Sequence, residues 1–144
     1  MSNIRVHFSS QTDLWATPQA YFEKCVEEFG VFDLDPASNA ENAKAERFFT
    51  IDDDGLSQDW VASNVWLNPP YGRVLTKWVA KALSEFDKGN AQRVVMLLPA
   101  RTDTRWFWSF YERPDVEVRF IKGRLKFGDA KSSAPFPSCL VVIG

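Results

Sequence analysis

The chain has 144 residues, 45% of them hydrophobic and 25% charged, and a net charge of −2 at neutral pH. That length fits one compact domain with a sizeable core, and no apolar run approaches the ~20 residues of a membrane helix. The pI of 5.4 argues against strong non-specific attraction to phosphates, although a local basic face can still meet nucleic acid.

Residues 1–14 are polar and read as a loose N-terminal segment ahead of a domain over 15–144. Met1–Phe8 carries no apolar signal core, so a cytoplasmic protein is expected. His7 is the single histidine, and Cys25 and Cys139 match no metal spacing. They read as packing residues of a reducing compartment, and no metal site is expected.

Thr17-Pro18 reads as a helix start, with Thr at the N-cap and Pro at the first helical position. Phe22, Val26 and Phe29 recur at helical spacing, and Gly30 ends the helix. Val31–Asp35 is a short strand stopped by Pro36. Asn42–Phe48 suits a short helix and Phe48–Ile51 a second strand, with a turn at Asp52-Asp53-Asp54-Gly55. Asn64–Asn68 is a third strand, cut by Pro69-Pro70. Leu75–Phe86 is an amphipathic helix with Trp78, Val79, Ala82, Leu83 and Phe86 on one face.

Arg93–Leu98 is almost wholly apolar, the mark of a strand buried on both faces. Thr104–Tyr111 follows as a helix. Val116–Ile121, Arg124–Phe127 and Leu140–Ile143 are late strands. Strands alternating with helices imply an α/β layered domain. In such sheets ligands bind beyond the carboxyl ends of the strands.

Two strands end in unusual polar-proline turns, which face the same crevice if the strands are parallel. Asn68-Pro69-Pro70-Tyr71 is the sharper signal. Successive prolines make a rigid turn and hold Asn68 extended. The Asn68 side-chain oxygen and the Pro69 carbonyl can each accept one N–H of an exocyclic amine. Held that way, the amine nitrogen becomes tetrahedral and its lone pair is freed for attack, while Tyr71 stacks on an extruded base. The bland alternative is a stiffened turn with an incidental Tyr.

Asp35-Pro36-Ala37 is the second turn. Its carboxylate suits the ammonium or ribose hydroxyls of a cofactor, and equally suits a turn aspartate. A Gly-rich cofactor loop is absent, and Ser38-Asn39-Ala40 offers small residues instead. Asp54 heads a further Gly-containing turn. Arg101, Thr102, Asp103 and Thr104 follow the buried strand and suit substrate contact, or else a capped helix start. Lys122, Arg124 and Lys126 alternate along the expected strand and are the best phosphate-contact candidates.

The Asn-Pro-Pro-aromatic turn is the signature of amino-group methyltransferases. Around it the chain resembles the phage-type DNA N6-adenine methyltransferase (Dam) family. The resemblance rests on Trp15-Ala16-Thr17-Pro18, Phe32-Asp33-Leu34-Asp35-Pro36-Ala37-Ser38, Asp54-Gly55-Leu56 and Val65-Trp66-Leu67-Asn68-Pro69-Pro70-Tyr71. It continues through Leu97-Leu98-Pro99-Ala100-Arg101-Thr102-Asp103-Thr104 and Gly123-Arg124-Leu125-Lys126-Phe127. It implies a single compact Rossmann-like methyltransferase domain with a mixed, mostly parallel sheet.

It also implies S-adenosylmethionine as donor and adenine in DNA as acceptor. Trp15, Thr17, Pro18, Asp35, Pro36, Ala37, Asp54 and Asn68 would then lie at the cofactor, and Asn68–Tyr71 at the base. A phage origin would place the protein in a bacterial host's cytoplasm. Two other readings stay open on the residues: an amino-group methyltransferase acting on RNA or a protein glutamine, and an inactive nucleic-acid-binding module.

Overall fold

The structure is a computed structural model that describes residues 16–127 and 133–144. The expected loose segment and Trp15 lie outside the described residues. In chain order the elements are α1 (Gln19–Phe29), β1 (Leu34–Asp35), β2 (Arg47–Phe48), a 3-10 turn (Gly55–Ser57), β3 (Val65–Leu67), α2 (Leu75–Asp87), β4 (Val94–Pro99), α3 (Arg105–Trp108), β5 (Val116–Phe120) and β6 (Ser138–Ile143). The strands form one six-stranded sheet in the order β2-β1-β3-β4-β6-β5.

β2, β1, β3 and β4 run parallel, and β6 is antiparallel to both β4 and β5. This is the mixed, mostly parallel α/β sheet of a Rossmann-like domain.

Period-two alternation explains why the central strands are apolar throughout. Val65, Leu67, Val94, Met96, Leu98, Cys139, Val141 and Ile143 face one layer, with Leu75, Trp78, Val79 and Ala82 of α2 and Trp106 of α3. Trp66, Val95, Leu97, Leu140 and Val142 face the other, with Phe22 and Cys25 of α1. β1 is set beside β3 by Asp33, whose carboxylate accepts the Ser63 and Asn64 backbone N–H groups at 3.0 and 2.7 Å.

Gly30 ends α1 at φ 85°, a left-handed conformation that favours glycine.

The start of α1 departs from expectation. Pro18 holds the cap position and no side chain caps the helix. The Thr17 hydroxyl is turned to another partner, described below. The expected helix over 42–48 does not form. Asn39 Oδ1 instead accepts the Glu41 and Asn42 N–H groups at 3.0 and 2.9 Å, and Asp35 takes the Lys44 N–H. Side-chain acceptors thus compete away the i−4 carbonyls a helix would need.

The strand expected over 124–127 is also absent: residues 121–127 are irregular, with Arg124 Nη1 donating to the Ala134 carbonyl at 3.4 Å. Lys122, Arg124 and Lys126 are exposed, but the strand that would have aligned them does not exist.

Candidate active site

Because β1 to β4 are parallel, their carboxyl ends open along one edge of the sheet. The residues that follow β1, β2 and β3 surround a cavity of about 550 Å³. That volume lies within the range typical of cofactor sites. Thr17, Asp35, Pro36, Ala37, Asp54, Asn68 and Pro70 all line it. The two polar-proline turns, 33 positions apart in sequence, are therefore walls of one space.

Asp35 is 3% exposed. Its carboxylate accepts the Lys44 N–H at 2.9 Å and the Ala37 N–H at 3.4 Å. Burial pushes this carboxyl up to about 6, against the pull of those backbone donors. The backbone pairing of β1 with β2 carries on past the strands, with Ser38 N–H donating to the Phe49 carbonyl at 3.0 Å.

Asn68 stands at the end of β3. Its amide nitrogen donates to Thr17 Oγ1 at 2.9 Å, which sets the plane of the amide and which end of it is the acceptor. Thr17 is thus held at the cavity by the residue at the head of the Pro-Pro turn.

Tyr71 departs from the expectation of an open stacking face. It is 1% exposed, and its hydroxyl donates to the Leu97 carbonyl of β4 at 3.2 Å. Phe136 and Phe127 meet the ring edge-on at 5.6 and 6.5 Å between centroids. In this conformation Tyr71 anchors the rigid turn to the central sheet.

Arg101, Thr102, Asp103 and Thr104 sit at the end of β4, outside the cavity lining. Thr104 caps α3, its hydroxyl oxygen accepting the Phe107 N–H at 3.3 Å. Thr102 borders a separate cleft of about 440 Å³ against Phe107, Trp108 and Phe120.

The sequence reading missed Lys44, Phe49, Ile51, Trp66 and Trp78, which also line the cavity. It placed Asp54 at the cofactor only through the family resemblance, and gave Gly55 no role beyond the turn. At Gly55 a Cβ would stand 2.1 Å from the Pro36 carbonyl oxygen, so this close approach of two cavity walls admits only glycine. The wall is braced from behind. The Trp60 indole donates to the Gly55 carbonyl at 2.9 Å and stacks on Trp78 at 6.2 Å. The Trp60 backbone N–H donates to the fully buried Glu85 carboxylate.

The donor set has a definite chemical character. Asp35, Asp52 and Asp54 supply carboxylates, Lys44 a cation, and Phe49, Ile51, Trp66 and Trp78 apolar surface. These suit a ligand with a flat apolar ring, hydroxyls and a net positive charge.

Residues 5–139 match the family model described as "DNA N-6-adenine-methyltransferase (Dam)". The chain belongs to this family. A protein of Haemophilus phage HP1 named DNA N-6-adenine-methyltransferase is 38% identical over 119 residues, covering 82% of this chain and 68% of that protein. One of Escherichia phage T1 with the same name is also 38% identical, over 96 residues. That match covers 66% of this chain and only 39% of the T1 protein's length. A putative methyltransferase YfdM of Escherichia coli K12 is 34% identical over 65 residues, 41% of this chain and 71% of that protein. Membership in the Dam family gives the shared cavity a chemical context, since both turns that bound it belong to the matched region. Among the described residues no helix is long and apolar enough to cross a membrane.

Proposed function

We propose that this chain transfers a methyl group from S-adenosylmethionine to the exocyclic N6 of adenine in DNA. One observation carries the reading: Asn68, at the head of the Pro-Pro turn, lines the same cavity as Asp35 and is bonded to Thr17 beside it. Acceptor amine and methyl donor would thus meet at a single residue. The donor fits the cavity because its sulfonium and ammonium outweigh its carboxylate, and the walls are correspondingly rich in carboxylates. When bound, S-adenosylmethionine supplies a methyl carbon attached to a positively charged sulfur.

The chain's residues then act on the acceptor. Asn68 Oδ1 and the Pro69 carbonyl accept the two amine N–H groups and draw N6 toward tetrahedral geometry. Held against Asp35 and Thr17, the donor would supply its methyl with a neutral sulfur as leaving group, and Asn68 and Pro69 would hold N6 with its lone pair toward that methyl while one N6 proton is released to solvent. Fixed acceptors of this kind work by preorganisation, with no reorientation needed during reaction. Tyr71 keeps the turn in place through its bond to β4. The adenine leaves the duplex, because a paired N6 amine lies edge-on in the major groove, where a rigid turn cannot engage both hydrogens.

The test is direct. The protein is incubated with S-adenosylmethionine and, in parallel, with DNA, RNA and a protein mixture, and the products are digested and analysed by mass spectrometry. N6-methyladenine in the DNA arm is the expected result. Methylation confined to RNA or to glutamine would overturn the acceptor, and no donor-dependent methylation in any arm would overturn the enzyme reading.

A further inference from the structure

We propose that Lys44 is the counter-ion for the carboxylate of the donor's amino-acid end, and so makes the pocket select a donor that keeps that carboxylate. The proposal rests on the cavity being the donor site.

Lys44 is the one cation among the described residues lining the cavity. Its ammonium is also not within ion-pair distance of any carboxylate among the described residues. Its partners are neutral: Nζ donates to Gln19 Oε1 at 2.7 Å and stands 5.2 Å from the centre of the Phe22 ring. Both belong to α1 and immobilise the end of a flexible side chain, so little further ordering is needed to bind.

Burial lowers the Lys44 pKa, and the Asp35 carboxylate partly offsets this. A half-buried ammonium held by neutral groups gains from an incoming carboxylate, because the desolvation has already been incurred.

The backbone supplies the complementary charge. The Lys44 N–H donates to Asp35 Oδ2 at 2.9 Å. This backbone bond ties the Lys44 main chain to the Asp35 carboxylate, so the two residues line one wall together. An α-amino acid end carries the opposite pair, an ammonium and a carboxylate on one carbon. Asp35 would take the first and Lys44 the second. Ala16 and Thr17, just ahead of α1, line the cavity too. This places the amino-acid end on the α1 side and leaves Ile51, Asp52 and Asp54 for the nucleoside.

Decarboxylated S-adenosylmethionine isolates the claim, since it keeps the nucleoside, the sulfonium and the ammonium. Titration calorimetry with both ligands is run on wild type, Lys44→Met and Lys44→Arg. Wild type is expected to bind the complete donor more tightly. Lys44→Met should weaken the complete donor roughly ten- to a hundred-fold and change the decarboxylated ligand little, and Lys44→Arg should recover part of the loss. Gln19→Ala, which frees the ammonium without removing it, should weaken only the complete donor, and by less. Equal weakening of both ligands, or none, would overturn the assignment while the donor-site reading stands. Wild type that binds neither ligand would overturn both.

Discussion

Thr17 Oγ1 accepts the Asn68 side-chain amide at 2.9 Å across 51 positions of sequence. The bond joins the segment before α1 to the end of β3, and both residues face the same cavity. The Asn68 nitrogen is thus engaged by Thr17, and under the proposed function its oxygen is the end that meets the acceptor amine. Asn68→Ala should lower the methylation rate by on the order of a hundred-fold or more. Donor affinity by calorimetry should change only a few-fold. Thr17→Val, which removes the acceptor that orients the amide, should fall between. An Asn68→Ala protein with near wild-type turnover would sink the assignment.

Asp35 makes stability depend on pH in an unusual direction. Burial raises its carboxyl to about 6, whereas the unfolded chain titrates near ~3.9. Between these values the native state holds a proton that the unfolded state has released. The group's contribution is thus greatest at low pH and is lost as pH rises through that window. Relative to Asp35→Asn, wild type should lose about 2 kcal/mol of unfolding free energy between pH 4 and 7. Paired denaturant titrations measure this, and a flat difference would contradict it. Donor affinity should rise over the same window, because the ionised carboxylate is the form that binds an ammonium.

Tyr71 is a packing residue with a polar tip. Tyr71→Phe removes only the bond to the Leu97 carbonyl, a cost of about 1 kcal/mol, and should keep most activity. Tyr71→Ala empties the space against Phe127 and Phe136 and should cost about 3–5 kcal/mol. Denaturation curves give both values. With 2-aminopurine at the target, wild type and Tyr71→Phe should give the same fluorescence change on binding. Should Tyr71→Ala give that change too, once shown to be folded, Tyr71 would have no contact with an extruded base.

Glu85 holds up the cavity wall from a distance. Its carboxylate takes the Trp60 N–H, Asn90 Nδ2 at 3.2 Å, Lys81 Nζ at 3.3 Å and Lys88 Nζ at 3.4 Å. Glu85→Ala strands these donors and should cost on the order of 3 kcal/mol, with Glu85→Gln costing less because it still accepts from Trp60. In the folded fraction of Glu85→Ala, donor affinity should also fall, since Trp60 no longer steadies Gly55. Unchanged stability in the alanine variant would remove Glu85 from this role.

The sequence by itself determined the elements and their order, because their signals are local. Helix α1 is written in the spacing of Phe22, Val26 and Phe29 and in the glycine that stops it. β4 is written in an unbroken apolar run. The Pro-Pro turn after β3 could be read with its chemistry because proline restricts its own and its neighbour's backbone wherever it occurs. What failed were the segments whose hydrogen bonds go elsewhere. Residues 42–48 look helical until Asn39 and Asp35 claim their N–H groups, and Thr17 looks like a cap until Asn68 claims its hydroxyl.

The sequence put the two polar-proline turns on one crevice only on condition that their strands run parallel, and the tertiary structure decided that they do. The parallel alignment of β1, β2 and β3 put Asp35 and Asn68 on one cavity and brought Lys44 to it. It also drew Gly55 against Pro36 and buried the Tyr71 ring that the sequence left facing outward. The places of Lys44, Gly55 and the Tyr71 ring do not follow from residue type or spacing, because a contact across tens of positions is set by strand order and layer packing, which no local pattern encodes.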